Sequence, residues 1–242
     1  MFQIGKIFAI IRHFAVRVFR KVFSPFIPRK GGLPFQYWLH VLDGSCESEL
    51  LNLHRISSRH DVAIDVGTNV GLYSFIMSKH FSKVYAFEIN DGLTESLAAF
   101  NPGNIEIINK GLSSQEGNAI LYIPVLKGLP LTGWASLTPG NCPDTHEHLE
   151  KPVKFGPLDS YDIHPVSFIK IDVEGHELEV LNGAAQTLLR NRPTVLVEIK
   201  PQNLEKVFLF FAAMNYKMKK LEDLIGIKGS DENFIFLPGE KL

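Results

Sequence analysis

The apolar positions of this 242-residue chain fall into two periods that alternate along it. Short apolar runs, Val62-Ala63-Ile64, Val84-Tyr85-Ala86-Phe87, Phe168-Ile169-Lys170-Ile171 and Val195-Leu196-Val197, read as buried strands. Each of the first three runs into a helical pattern or a helix start. Leu72 to Met77 follows the turn after the first run, and Leu178, Val180, Leu181 and Leu188 follow Gly175. Weaker signals predict helices at 48–57, 95–100 and 201–213. They also predict a third strand at 104–109, strands at 119–123 and 153–155 beside a hairpin, and final strands at 216–221 and 233–237. Strands alternating with helices predict an α/β fold with a mostly parallel, doubly wound sheet. The connection 223–231 carries no helical pattern, so the last pair would be antiparallel.

Charge changes the picture at the N-terminus. Residues 1–30 hold seven Lys or Arg and no acid, whereas 18 basic and 26 acidic residues leave the remainder at −8. At 100° per residue Ile4, Ile7, Ile11, Phe14, Ala15, Val18 and Val22 share one face; Lys6, His13, Arg17, Arg20 and Lys21 share the other. This predicts a basic amphipathic helix over 1–30. It is too interrupted by charge to span a bilayer, and it lacks the apolar core and cleavage site of a secretory signal. Three readings compete: a helix packed on its own domain or a partner, a peripheral helix on an anionic membrane surface, and an organellar transit peptide. Basic residues alternating with bulky aliphatics favour lipid over nucleic acid, so no nucleic-acid partner is expected. Residues 24–28 and 31–34, rich in Pro and Gly, would end this helix. Residues 31–60 would form a linker and a leading helix, and 61–242 one enzyme-sized domain. Cys46 and Cys142 stand in no metal spacing and fit a reducing, cytoplasmic setting.

The candidate chemistry begins at Asp65-Val66-Gly67-Thr68-Asn69-Val70-Gly71. A strand, a glycine turn and a helix start form the usual nucleotide-binding corner of α/β sheets. The spacing is G-x-x-x-G, not G-x-G-x-x-G, and Asp65 would repel a pyrophosphate. A ligand with a cationic centre suits the turn better, and S-adenosylmethionine is one. Glu88, 21 residues after Gly67, ends the second strand, where a carboxylate can accept from both ribose hydroxyls. An ordinary tight βα turn and a nicotinamide-dependent oxidoreductase remain alternatives, as does a non-catalytic, membrane-associated scaffold that binds the same nucleoside.

Four segments together resemble the FkbM-type S-adenosylmethionine-dependent methyltransferases. They are D-V-G-T-N-V-G-L-Y-S (65–74), A-F-E (86–88), K-I-D-V-E-G-H-E (170–177) with L-N-G-A (181–184), and R-P-T-V-L-V-E-I (192–199). Thr68 stands where the family usually has Ala, Asn90 where Pro commonly follows the acid, and Gly111 where Ala is usual. The resemblance implies a Rossmann-like class I methyltransferase fold with strand order 3-2-1-4-5-7-6. It also implies O-methylation of a saccharide, a lipid-linked glycan or a natural product.

On this reading Gly67, Thr68, Asn69 and Gly71 cradle the methionine part of the methyl donor, and Asp65, at the end of the first strand, also belongs to the donor site. Glu88 holds its ribose, Ile89 covers a face of the adenine, and Asn109 meets its edge. Asp172, Glu174 and His176 are the candidates for acceptor binding and proton removal, since an imidazole titrates near neutrality. Carboxylates at a helix start also cap it, which is the competing role for Glu174, Glu177 and Asp172, and a plain exposed helix position is the competing role for His176. Lys170 reads equally as a structural ion pair or a substrate contact. Asp172 and Glu198 could approach a divalent cation, but two ligands are too few, and no metal is expected. Residues 144–148, with His146 and His148, read as a solvated loop. Segment 124–151, rich in Gly, Pro and Asn, would be a substrate loop in which Trp134 either stacks on a sugar ring or packs into the core.

Overall fold

The computed structural model describes residues 19, 23, 27–132, 135–137 and 147–239. The amphipathic helix expected over 1–30, the His146 position and Trp134 therefore lie largely or wholly outside the described residues.

Eleven strands form two sheets among the described residues. In chain order they are β1 (Val62–Val66), β2 (Lys83–Phe87), β3 (Ile105–Ile108), β4 (Gly111–Leu112), β5 (Gly117–Leu126) and β6 (Leu129–Pro130). They continue with β7 (His148–Gly156), β8 (Val166–Ile171), β9 (Thr194–Glu198), β10 (Tyr216–Lys219) and β11 (Asn233–Pro238). The main sheet runs β10-β11-β9-β8-β1-β2-β3. With its strands numbered in chain order, this is the expected 3-2-1-4-5-7-6 arrangement. All pairs are parallel except those of β11, which runs antiparallel to β9 and β10. The fold is the Rossmann-like class I methyltransferase fold.

Both faces of the sheet are covered, which is why its strands read as unbroken apolar runs. The period-2 alternation of a strand sends Ile64, Val66, Ile169 and Ile171 to one face and Ala63 and Phe168 to the other. The first face packs on α6 (Glu177–Asn182), α7 (Ala185–Asn191) and α8 (Leu204–Ala213); the second packs on α2 (Ser48–Leu51), α3 (Leu53–Ile56) and α4 (Leu72–His80). Phe87, Phe168 and Phe211 are at most 1% exposed, each contributing roughly 2–3 kcal/mol by burial.

The structure corrects four expectations. Gly31-Gly32-Leu33-Pro34 is not a linker but part of a helix, α1 (Arg29–Asp43). Leu33 is fully buried and the Tyr37 ring lies 5.4 Å from Phe75, so packing on α4 and α5 (Glu95–Phe100) outweighs the poor propensity of Gly and Pro. The single helix expected after Gly175 is split into α6 and α7 at Gly183, where a Cβ would collide with the Ser113 carbonyl oxygen. The connection before β11 begins with a short helix, α9 (Leu221–Ile225). The loop expected over 124–151 is largely strand at its ends: β5 continues to Leu126, β6 folds back on it, and β7 starts at His148. These strands and β4 form the second sheet, β4-β7-β5-β6.

Candidate active site

The neighbouring strands β1 and β8 end at one corner, and the local sequence forces them close. Gly67 has a φ of 76°, and a Cβ there would collide with the Asp172 carbonyl oxygen. Only glycine suits a position that combines a left-handed backbone with this approach. The N–H groups of Gly67 and Thr68 both donate to the Phe87 carbonyl, tying the turn to β2. Asp65, fully buried, stands beside Lys170 in register and accepts hydrogen bonds from Thr68 Oγ1 and Ser74 Oγ, each at 2.6 Å. Gly71, with φ 95°, packs against Leu97 at the start of α4.

Around this corner lies a cavity of about 320 Å³. Gly67, Asn69, Glu88, Ile89, Asp172, Glu174 and His176, seven of the eleven residues singled out in the sequence, line it. Asp65, Thr68 and Gly71 do not; they build the turn from beneath. Asn109 is exposed and lines a second cavity, beyond Ile89, with Lys151 and Lys154.

Glu88 is 6% exposed. Its Oε2 accepts from the Asn69 N–H and its Oε1 from the Asn90 N–H, each at 2.8 Å. Burial raises its pKa and these two N–H groups oppose that. Asn69 can donate in this way because its φ is 53°, a conformation asparagine tolerates better than most residues. Ile89 fills the space beside Gly111, where a Cβ would meet its Cδ1 at 2.7 Å. The Gly111 departure from the family pattern is thus matched to Ile89.

On the β8 side, Lys170 Nζ donates to Asp172 Oδ2 at 3.0 Å and lies over the Tyr73 ring at 4.6 Å. Burial by itself would lower the pKa of this ammonium. The charges of Asp172 and Asp65 outweigh it and hold the pKa above the ordinary lysine value. Lys170 is therefore a buried ion pair beneath the cavity. Glu174 is exposed, has a φ of 51°, and pairs with Lys200 at 3.1 Å. Lys200 also reaches Glu198 at 2.8 Å and Glu232 at 3.2 Å. Asp172, Glu174 and Glu198 bring carboxylate oxygens within 4.8 Å of one another, and the Lys200 ammonium is shared by two of the three. Glu177 is a helix-start residue: it is fully buried and accepts from the Gly175 N–H at 2.7 Å and from Asn203 Nδ2 at 2.6 Å.

His176 precedes α6, and its Nε2 lies 3.0 Å from Ser113 Oγ. Burial lowers its pKa, against the charges of Glu179 and Glu177, so the ring is neutral at pH 7. Ser113 was not singled out in the sequence; nothing in Leu112-Ser113-Ser114 marks it. The far wall of the cavity comes from Leu121 of β5 and from Thr132, Ala135, Ser136 and Leu137, between β6 and β7. Ser136 pairs with Tyr122 through two backbone hydrogen bonds, of 2.8 and 3.0 Å.

Residues 65–224 match the methyltransferase FkbM domain. This chain belongs to the FkbM methyltransferase family. Among curated proteins it is 32% identical over 183 residues to the hexuronic acid methyltransferase AglP of Haloferax volcanii, covering 72% of this chain and 69% of that protein. Among solved structures it resembles the methyltransferase FkbM of Methylobacillus flagellatus KT at 14% identity and a TM-score of 0.48, covering 89% of this chain and 60% of that one. It also resembles a Streptococcus mutans putative methyltransferase in complex with S-adenosylhomocysteine, at 13% identity and a TM-score of 0.43, covering 78% of this chain and 93% of that one. Membership of a methyltransferase family does not favour the oxidoreductase or scaffold alternatives.

Proposed function

We propose that this family member transfers a methyl group from S-adenosylmethionine to an oxygen of a sugar-containing acceptor, a saccharide or lipid-linked glycan. The observation that carries the donor assignment is Glu88. It is a buried carboxylate on the cavity wall, held by two backbone N–H groups at the end of β2 and free to accept from a ribose diol with its remaining lone pairs. The donor chemistry fits the rest of the wall: Glu88, Asp172 and Glu174 offer carboxylates to a sulfonium, and the N–H groups of Gly67, Thr68 and Asn69, which a pyrophosphate would need, already donate to Phe87 and Glu88. Gly67 and Asn69 would take the methionine part, Glu88 the ribose and Ile89 a face of the adenine. Asp65, Thr68 and Gly71 act by shaping the turn, and Asn109 makes no donor contact in this reading.

When bound, the sulfonium supplies an activated methyl group. The protein aligns the acceptor with it and manages one proton. His176, neutral at pH 7, takes the proton of the acceptor hydroxyl. Asp172 and Glu174, on the same wall, accept from neighbouring hydroxyls of the sugar, and Thr132, Ala135, Ser136 and Leu137 face them from the opposite side. The acceptor class rests on the resemblance to AglP, which acts on a hexuronic acid.

Calorimetric titration with S-adenosylhomocysteine tests the donor site. The wild-type protein should bind it, and Glu88→Ala should weaken binding by about tenfold or more. A folded wild-type protein that does not bind removes the basis of the assignment. Methyl transfer to uronic-acid-containing glycans is then scored with and without His176.

A further inference from the structure

Helix α1 is apolar on two sides. One side, with Leu33 and Leu39 at most 4% exposed, packs on the domain. The other exposes Trp38, Val41 and Leu42 at 46, 40 and 42%. Phe35 and Trp38 stack with ring centroids 6.2 Å apart, and the patch extends to the preceding segment: Phe19 lies 5.9 Å from Trp38 and 4.2 Å from Phe23, which is 44% exposed. A helix that only supports a domain has no need of a second apolar face, and a contiguous exposed aromatic patch marks an interaction surface.

The surrounding charge selects the partner. Arg20 and Lys21 sit between Phe19 and Phe23 in sequence, Arg29 and Lys30 open α1, and residues 1–30 carry seven basic residues and no acid. The acids that follow are engaged elsewhere. Asp43 accepts from Ser45, Glu47 from Tyr73 and Asn233, and the buried Glu49 from the Ser230 N–H. We propose that Phe19, Phe23, Trp38, Val41 and Leu42 form a docking surface for an anionic lipid bilayer. The rings sit at headgroup depth and the exposed Arg29 and Lys30 side chains meet lipid phosphates. This surface goes beyond the methyl-transfer reading and does not depend on it. A peripheral attachment of this kind would hold the cavity near acceptors carried by the same membrane.

The test uses the full chain with Trp134→Phe, which leaves Trp38 as the single tryptophan. Vesicles of phosphatidylcholine with phosphatidylglycerol should shift its emission to the blue, and brominated acyl chains should quench it. Phosphatidylcholine alone or high salt should weaken both effects. The double variant Val41→Glu/Leu42→Glu should lose about tenfold or more in vesicle partition, with S-adenosylhomocysteine binding unchanged. Absence of a shift with anionic vesicles overturns the proposal, and so does equal partition of a folded double variant. Trp38 emission already blue and lipid-insensitive would assign the patch to the chain's own N-terminal segment. A concentration-dependent dimer broken by the double variant, without vesicle binding, would assign it to a second copy.

Discussion

Ser113 Oγ lies 3.0 Å from His176 Nε2 across the gap between β4 and the start of α6. The serine is held from both sides. Its N–H donates to the Gly156 carbonyl at 3.0 Å, and its own carbonyl lies against Gly183, at the break between α6 and α7. Ser113 is only 5% exposed, and a hydroxyl on so constrained a residue fixes the orientation of the imidazole it touches. One ring nitrogen is committed to the scaffold, leaving Nδ1 for other work.

His176 is therefore expected to carry proton removal, with Ser113 as a positioning residue. His176→Ala should lower kcat by about 10²–10³-fold. Ser113→Ala should lower it about tenfold, and Ser113→Thr should retain most of the activity. Binding of S-adenosylhomocysteine should be unchanged in all three. Because burial lowers the folded-state pKa of His176, the wild-type acid limb should lie below the ordinary histidine value of about 6.5. A kcat profile with its acid limb at or above that value would remove the proton-transfer role.

Glu88 sets a second pH dependence. Its pKa is raised, so a ligand that donates hydrogen bonds to the carboxylate should lose affinity at a higher pH than an ordinary glutamate would give. The same raised value makes protonation favour the folded state, so acid should weaken the ligand complex while, through this group, it stabilises the folded protein. Titrations with S-adenosylhomocysteine between pH 4 and 7 (a range of about three units around an ordinary carboxylate), run beside thermal unfolding, separate the two effects. Glu88→Gln should bind weakly at every pH and show no such midpoint.

The runs that made strands legible are those buried on both faces, around Ile64, Phe168 and Leu196. Their order in the sheet came from the resemblance, because apolar periodicity does not say which strand neighbours which. Glu88 and the Gly67 turn were readable because a strand-end acid and a helix-opening glycine have few other uses. Elsewhere tertiary contacts overrode local signals: Leu33 and Tyr37 made a helix of a Gly- and Pro-rich stretch. Ser113 was invisible, since its meeting with His176 joins positions 63 residues apart. Asp65 reads as a donor-binding residue in the sequence, but its alternation with Ile64 and Val66 turns it away from the cavity and toward Lys170.

Gly67→Ala should show how closely β1 and β8 must approach. The added Cβ would collide with the Asp172 carbonyl at a left-handed backbone position. A loss of about 2–4 kcal/mol in unfolding free energy is expected, together with loss of S-adenosylhomocysteine binding. Denaturant melts and calorimetry measure the two. Gly103→Ala also stands at a positive φ but has nothing within 4 Å of its Cβ, so it should keep ligand binding.

Lys200 holds Glu174, Glu198 and Glu232 with one ammonium, and burial together with the Asp172 charge already raises the Glu198 pKa. Lys200→Ala should leave Asp172, Glu174 and Glu198 facing one another without that cation. Two of its partners are about half exposed, so solvent screening limits the loss at pH 7 to about 1–2 kcal/mol. The loss should shrink as pH falls, because a Glu198 whose folded pKa lies above its unfolded value binds its proton more tightly in the folded state. A divalent cation should substitute for the ammonium in the variant, since three carboxylate oxygens within 4.8 Å suit magnesium or manganese. Thermal melts with and without these ions should therefore show stabilisation of Lys200→Ala and little change in the wild-type protein. Equal stabilisation of both would mean that the cation and the Lys200 ammonium occupy the acidic corner together.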